Sequence, residues 1–294
     1  IYQCDWSSDV CSSDLGMDMP IEQSGDPERF KAFELSGWNS NIAGYETAFG
    51  PVARQTVPSM LDAAEIRSGM DVLDVCCGPG VLAAAVVERG GRAVGLDFSP
   101  AAVSLAQTQV PQARFQQGDA QSLPFPAASF DAVLCGYGLM HVPQPEAALR
   151  EALRVLRPGG RAAFSAWDES GAAFPLVYEA VRACGTMDVP LPHGPGFFQF
   201  GTTTRMRDAI AQAGFTAVNA LSVGQQWQVG GVDQYLEAIL KGTVRARAVL
   251  AAQTKEAAAG VRTYIADYLN RFRTPAGALA IPMPAIVGSG ARPG

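Results

Sequence analysis

Val72-Leu73-Asp74-Val75-Cys76-Cys77-Gly78-Pro79-Gly80, running on into Val81-Leu82-Ala83-Ala84-Ala85, is the stretch whose reading decides the fold. A short apolar run with one embedded acid breaks into Gly-Pro-Gly and then into an alanine-rich segment. That is the pattern of a strand, a tight turn and the first turn of a helix. Glycines let a ligand approach bare backbone, and a helix start offers unpaired N–H groups to an anionic ligand group. A second strand, Arg92-Ala93-Val94-Gly95-Leu96-Asp97, ends in an acid 17 residues after Gly80. An acid at that place suits the two hydroxyls of a ribose.

Two ligands fit this much. Gly78-x-Gly80-x-x-Ala83 satisfies the relaxed dinucleotide fingerprint, with Asp97 near the expected offset. Asp74 separates the alternatives. A dinucleotide would bring its anionic pyrophosphate to the turn, where a carboxylate repels it. S-adenosylmethionine brings an ammonium and a sulfonium, which a carboxylate attracts.

Outward from this core, Gln116-Gln117-Gly118-Asp119-Ala120 follows a short strand-like run, and Ser129 to Gly136 reads as a fourth strand. Glu146 to Arg157 reads as an amphipathic helix with Leu149, Leu153 and Leu156 on one face, stopped by Pro158-Gly159-Gly160. Over Gly69 to Trp167 the chain resembles the class I S-adenosylmethionine-dependent methyltransferases. Its nearest likeness is to the broad group that includes the ubiquinone and menaquinone C-methyltransferases. The most specific part is GDAQSLPFPAASFDAV (118–133) followed by HVPQPEAALREALRVLRPGG (141–160).

The resemblance implies an α/β fold: a doubly wound, Rossmann-like, mostly parallel seven-stranded sheet with a helical and loop cap. It implies S-adenosylmethionine as cofactor. Asp74 and the Cys76, Gly78, Gly80 turn would hold the methionine moiety and Asp97 the ribose, with Phe98 also at the cofactor. Asp119 and Ala120 would hold the adenine edge, while Cys135 and Gly136 line the methionine side through backbone. Tyr45 would fold over the cofactor. The family often has glycine where this chain has Cys76, which narrows the turn. In an alternating strand–helix sheet the ligand crevice lies at the carboxyl ends of the strands. Asp74, Gly78, Asp97, Asp119 and Cys135 all fall at those expected ends.

The first fifteen residues read differently. Cys4 to Leu15 has no apolar core, no basic start and no periodicity, so it is not a targeting peptide. Asp9-Val10-Cys11-Ser12-Ser13-Asp14-Leu15 resembles the translation of a sequencing adapter, and residues 1–16 are expected to be an artefact or a disordered tail, with the native start at Met17 or Met19 unless the adapter replaced a longer natural N-terminus. Without Asp5, Asp9 and Asp14 the formal net charge moves from −6 to −3. A mildly acidic chain has no electrostatic footprint for nucleic acid. Four of the six cysteines remain, none in Cys-x-x-Cys spacing, which fits free thiols in a reducing, cytoplasmic compartment without metal. No apolar run is long enough to span a bilayer.

Along the chain, residues 17–66 are expected as an N-terminal helical segment over the cofactor site and 67–294 as the main domain. Pro27 to Gly50 places Phe30, Phe33, Trp38 and Tyr45 on a helix, and Val52 to Ile66 reads as one further helix. Cap segments are expected at 168–200, where Pro190 to Phe200 is a Pro/Gly-rich aromatic loop, and at 231–273. Arg205 to Gly214 reads as a short helix, Phe215 to Gly230 as strand six, and Ala280 to Gly288 as the last strand. Asp233 to Leu250 and Ala257 to Phe272 read as helices. The second carries Val261, Tyr264, Ile265, Tyr268, Leu269 and Phe272 as a core-facing stripe, with a substrate lid as the alternative.

Only two histidines exist. His141, after strand four, is the candidate general base, against a structural histidine; His193 lies in the cap loop. Tyr137 and Met140 are read as shaping the pocket. Strand four lacks the Asn/Asp-Pro-Pro-aromatic pattern of many amino-group methyltransferases, and no Pro-Cys pair exists to attack a cytosine. A small apolar or aromatic acceptor, methylated on carbon or oxygen, is the expectation. A nicotinamide-dependent oxidoreductase and a non-catalytic cofactor-binding module are the alternatives.

Overall fold

The computed structural model describes residues 26–294; the adapter-like segment, Met17 and Met19 lie outside the described residues. In chain order the elements are α1 (Pro27–Ala53), α2 (Val57–Ala63), β1 (Asp71–Val75), α3 (Val81–Glu88), β2 (Arg92–Asp97), α4 (Pro100–Gln109), β3 (Arg114–Gln117), β4 (Phe130–Gly136), α5 (Pro145–Val155) and β5 (Leu156–Trp167). They continue as α6 (Ala173–Cys184), α7 (Thr203–Gln212), β6 (Thr216–Val223), β7 (Gln226–Val229), α8 (Val232–Gly242), α9 (Arg245–Ala251), α10 (Lys255–Leu269), β8 (Leu279–Pro282) and β9 (Ala285–Ala291).

Seven strands form one sheet in the order β3-β2-β1-β4-β5-β9-β6, the first five parallel and β9 antiparallel to both neighbours. Val72, Leu73, Ala132, Val133 and Leu134 are fully buried because helices cover both faces. Met60, Leu61, Leu82, Val86 and Ala106 from α2, α3 and α4 form one layer. Leu149, Ala152, Val177, Ile210 and Ile239 belong to the larger core opposite. The strand order reverses between β1 and β4, which is where such a sheet opens a ligand crevice. The expected doubly wound fold is the one observed.

The elements differ from expectation in instructive ways. The helix expected to run to Arg157 ends at Val155; Leu156 is buried as the first residue of β5, paired with Phe130. Val52 to Ile66 is not one helix: α1 runs on to Ala53, a 3₁₀ turn covers Arg54–Thr56, and α2 restarts with Pro58 in its first turn. Proline lacks the N–H that a continuous helix would use, so a restart suits it. Phe215 to Gly230 splits into β6 on the main sheet and β7 on a separate ribbon with β8. The expected last strand likewise splits into β8 and β9 around Met283-Pro284. Asp233 to Leu250 breaks at Thr243 into α8 and α9.

Helix α6 was not anticipated within 168–200. It buries Phe174, Leu176, Val177, Ala180 and Val181, a stripe at helical spacing that the Pro/Gly-rich neighbourhood masked. Of the stripe on α10, Val261, Ile265 and Leu269 are buried against the core, so packing rather than a lid accounts for them. Truncating Ile265 to Ala leaves a cavity that its neighbours only partly fill, and is expected to lower unfolding free energy by about 2–5 kcal/mol. Chemical denaturation of the two proteins measures it.

Candidate functional site

The site is built where β1 and β2 end. Beyond β1, Cys76 and Gly78 take left-handed backbone (φ 56° and 51°), as does Gly80 (φ 86°), which starts α3. A non-glycine residue in that region costs about 1–2 kcal/mol, which explains why glycine suits position 76 and shows that this chain carries the strain. The Gly78 N–H donates to Asp97 Oδ2 at 2.9 Å, and the Ser99 N–H donates to Asp97 Oδ1 at 2.9 Å. Ser99 in turn caps α4 and reaches Asn39 of α1 at 2.7 Å. Asp97 therefore ties the turn to the next helix.

Asp74 is 1% exposed. Its Oδ2 accepts from the Ala83 N–H in the first turn of α3 at 3.0 Å, and its Oδ1 is buried without a partner. Burial pushes its carboxyl up to about 8, opposed by the Ala83 N–H and reinforced by the negative charge of Asp97. Burial also raises the Asp97 carboxyl. Two buried acids beside a cavity, one with a bare oxygen, make a place prepared for cationic and hydroxyl donors.

The cavity is open to solvent, and the space within and before it amounts to about 1180 Å³. Of the residues expected at the site, Tyr45, Asp74, Cys76, Gly78, Asp97, Phe98, Asp119, Ala120 and His141 line it. Gly80 does not; a Cβ there would lie 3.1 Å from Phe115 and 3.3 Å from Ala106, so its place is to let α3 start close to α4 and β3. Cys135 does not line the cavity either: it is buried as a free thiol, while Gly136 beside it faces the space. Tyr137 faces the space, stacked on Trp167 at 3.9 Å; Met140 is packed in the core behind. His193 is exposed, away from the cavity.

Several residues of the site were not legible in the sequence. Helix α1 sends Lys31, Trp38 and Ile42 into the cavity wall. Lys31 Nζ meets Asp119 Oδ2 at 2.6 Å, and the Gln121 N–H donates to Asp119 Oδ1 at 2.8 Å. Burial opposes the charge on Asp119, but these donors hold its carboxyl below the usual range. Glu34, fully buried on the same helix, bonds His141 Nδ1 at 2.9 Å. A second space of about 390 Å³ opens beside the first and shares Trp38, Tyr45, His141 and Trp167 with it. Phe174 and Tyr178 of α6 and Phe197 of the cap loop complete its aromatic wall. No group of acids, histidines and cysteines among the described residues could hold a metal ion.

Residues 73–164 match the family model described as a methyltransferase domain. A 2-phytyl-1,4-naphtoquinone methyltransferase of Thermosynechococcus vestitus is 44% identical over 109 residues, covering 35% of this chain and 48% of that protein. A demethylmenaquinone methyltransferase of Lactococcus lactis is 39% identical over 102 residues, 32% of this chain and 40% of that one. The chain thus spans about half or less of the length of these curated relatives. Among solved structures, a Haemonchus contortus phosphoethanolamine N-methyltransferase 2 in complex with S-adenosyl-L-methionine aligns over 90% of this chain and 60% of that one. Its TM-score is 0.55 at 17% identity, a likeness of fold.

The carboxyl of Asp74 implies a stability effect with a definite sign. Its folded value lies above the ordinary aspartate value, so its contribution is most favourable at acid pH and is lost as pH climbs toward about 8. Asp74→Asn is expected to raise the melting temperature of the ligand-free protein at pH 8.5 and to have little effect at pH 4. Thermal unfolding followed at both pH values measures it.

Proposed function

We propose that this chain, which carries a class I methyltransferase domain, moves a methyl group from S-adenosylmethionine to a small-molecule acceptor. When bound, that cofactor supplies a methyl group on a positively charged sulfur that leaves as a neutral thioether. The bare, buried Oδ1 of Asp74 carries the reading: an ammonium placed beside it would supply the missing donor and favour its ionised form, which a pyrophosphate would oppose. Asp97 would receive the ribose hydroxyls: each of its oxygens accepts one backbone N–H and keeps capacity for another donor. Phe98, Asp119, Ala120 and Gln121 would face the adenine.

The neighbouring aromatic space would take the acceptor, with Tyr45 and Trp38 at the junction. Helix α1 and the cap enclose that junction, so the chain's share of the chemistry is alignment and exclusion of water. The quinone substrates named for the two relatives are flat and largely apolar, as this wall is. Nucleic acid is not the expected acceptor for an acidic chain with an enclosed aromatic wall. The four free thiols among the described residues suit a reducing, cytoplasmic setting. No helix among the described residues is long and apolar enough to cross a membrane.

Calorimetric titration with S-adenosylhomocysteine and, separately, with NADH tests the reading. Binding of the former alone is expected, and Asp97→Ala is expected to weaken it about tenfold or more, the loss of one or two charge-assisted hydrogen bonds. Binding of NADH alone would turn the site into that of an oxidoreductase.

A further inference from the structure

Glu34 has an unusual set of partners. Its carboxylate is fully buried on α1, where an ion without donors would neutralise itself. It has three donors from three parts of the chain: Trp38 Nε1 at 3.1 Å, His141 Nδ1 at 2.9 Å and Arg245 Nε at 2.8 Å. Arg245 is itself held by the Pro195 carbonyl at 2.7 Å and by the Met140 carbonyl, and lies over the Phe30 ring. Burial opposes the charge on Glu34, yet His141 and Arg245 hold its carboxyl below the usual range.

An ionised carboxylate only accepts hydrogen bonds, so the proton of a neutral His141 sits on Nδ1. Nε2 is then a bare lone pair. Among the described residues it makes no hydrogen bond, and the ring borders both cavities where they join. The space it borders is walled by the flat rings of Trp38, Tyr45, Trp167, Phe174, Tyr178 and Phe197.

We propose that Glu34 is the positioning residue of the acceptor site: it holds His141 by Nδ1 so that Nε2 takes the proton from a hydroxyl on a flat aromatic acceptor in the aromatic space. The inference rests on the methyl-transfer reading and adds the chemistry of its acceptor. In the step, the acceptor O–H bond breaks, an Nε2–H bond forms, and the electron pair stays on oxygen and its conjugated ring. The proton later passes from Nε2 to water. The ring is then electron-rich at oxygen and at the adjacent carbons, the two places where methylation is expected. Around His141 the charged and titratable groups are Glu34 and Tyr45 of α1, Arg245 of α9, Tyr178 of α6 and Asp97 at the end of β2. Glu34 stabilises the imidazolium that forms, and Arg245 keeps Glu34 charged throughout.

4-Nitrophenol, whose phenolate absorbs visible light, is the probe, added to the full chain saturated with S-adenosylhomocysteine. Calorimetry reports binding of the homocysteine compound first; its absence would sink the cofactor reading itself. With that compound bound, nitrophenol is expected to bind and to ionise about one pH unit below the free probe, a tenfold change. Glu34→Gln is expected to remove most of that shift while S-adenosylhomocysteine binds as before, and His141→Gln to do the same with the Glu34–Arg245 pair intact. If Glu34→Gln loses S-adenosylhomocysteine binding, Glu34→Asp, which keeps the charge but withdraws it from Nδ1, is read in the same way. Failure of nitrophenol to bind the complex, ionisation at the free probe's pH, or a shift that survives loss of Glu34 each overturns the proposal and leaves methyl transfer standing.

Discussion

Two carboxylates buried side by side, Asp74 and Asp97, set the terms for everything around them. In the ligand-free protein each is held by backbone N–H groups alone: Ala83 for the first, Gly78 and Ser99 for the second. Those three donors are the first turn of α3, the glycine turn and the start of α4. The acids therefore hold the backbone of the cradle in shape, and the cradle holds the acids out of water. The arrangement is costly without a cation, since desolvation raises both carboxyls and one oxygen stays bare. Stability forgone at such a place is regained when a ligand brings the missing donors.

Helix α1 builds one wall of that cradle. Its side chains bond outward at four places: Lys31 to Asp119, Glu34 to His141 and Arg245, Asn39 to Ser99, and Asn41 to the Thr243 carbonyl at 2.7 Å. The partners come from the end of β3, the turn after β4, the start of α4 and the join of α8 with α9. One helix thus reads the position of the acid-lined cradle and of the cap together. These polar contacts are directional and add to the apolar packing of Phe49, Val52 and Ala53 in the core, so they fix its register as well as its place.

The aromatic space beside the cradle follows from the same packing. Trp38 meets Tyr45 edge-on at 5.5 Å and His141 at 4.9 Å, while Phe174 meets Phe197 at 5.1 Å. These rings come from α1, α6, the turn after β4 and the cap loop. Each is rigid, with few rotamers to lose, so the wall is shaped before a ligand arrives.

The sequence by itself determined the sheet and which residues stand at the carboxyl ends of its strands. Strand, glycine turn and helix start are local patterns, and an acid at the end of a parallel strand has only one place to be once the strand is recognised. For that reason the place of Asp74, Gly78, Asp97 and Asp119 around the cavity was legible in the sequence. Element ends were not, because Leu156 satisfies a helix stripe and a buried strand start equally well, and because Thr243 and Pro284 break elements through backbone geometry rather than hydrophobic period. The place of α1 over the site follows from the resemblance, but the polar contacts by which it holds that place were decided only by tertiary structure. Lys31, Glu34 and Asn39 look like ordinary polar positions on a helix with a weak apolar pattern. Their partners lie 60 to 211 residues away, and no local period records which distant donor will meet a buried carboxylate.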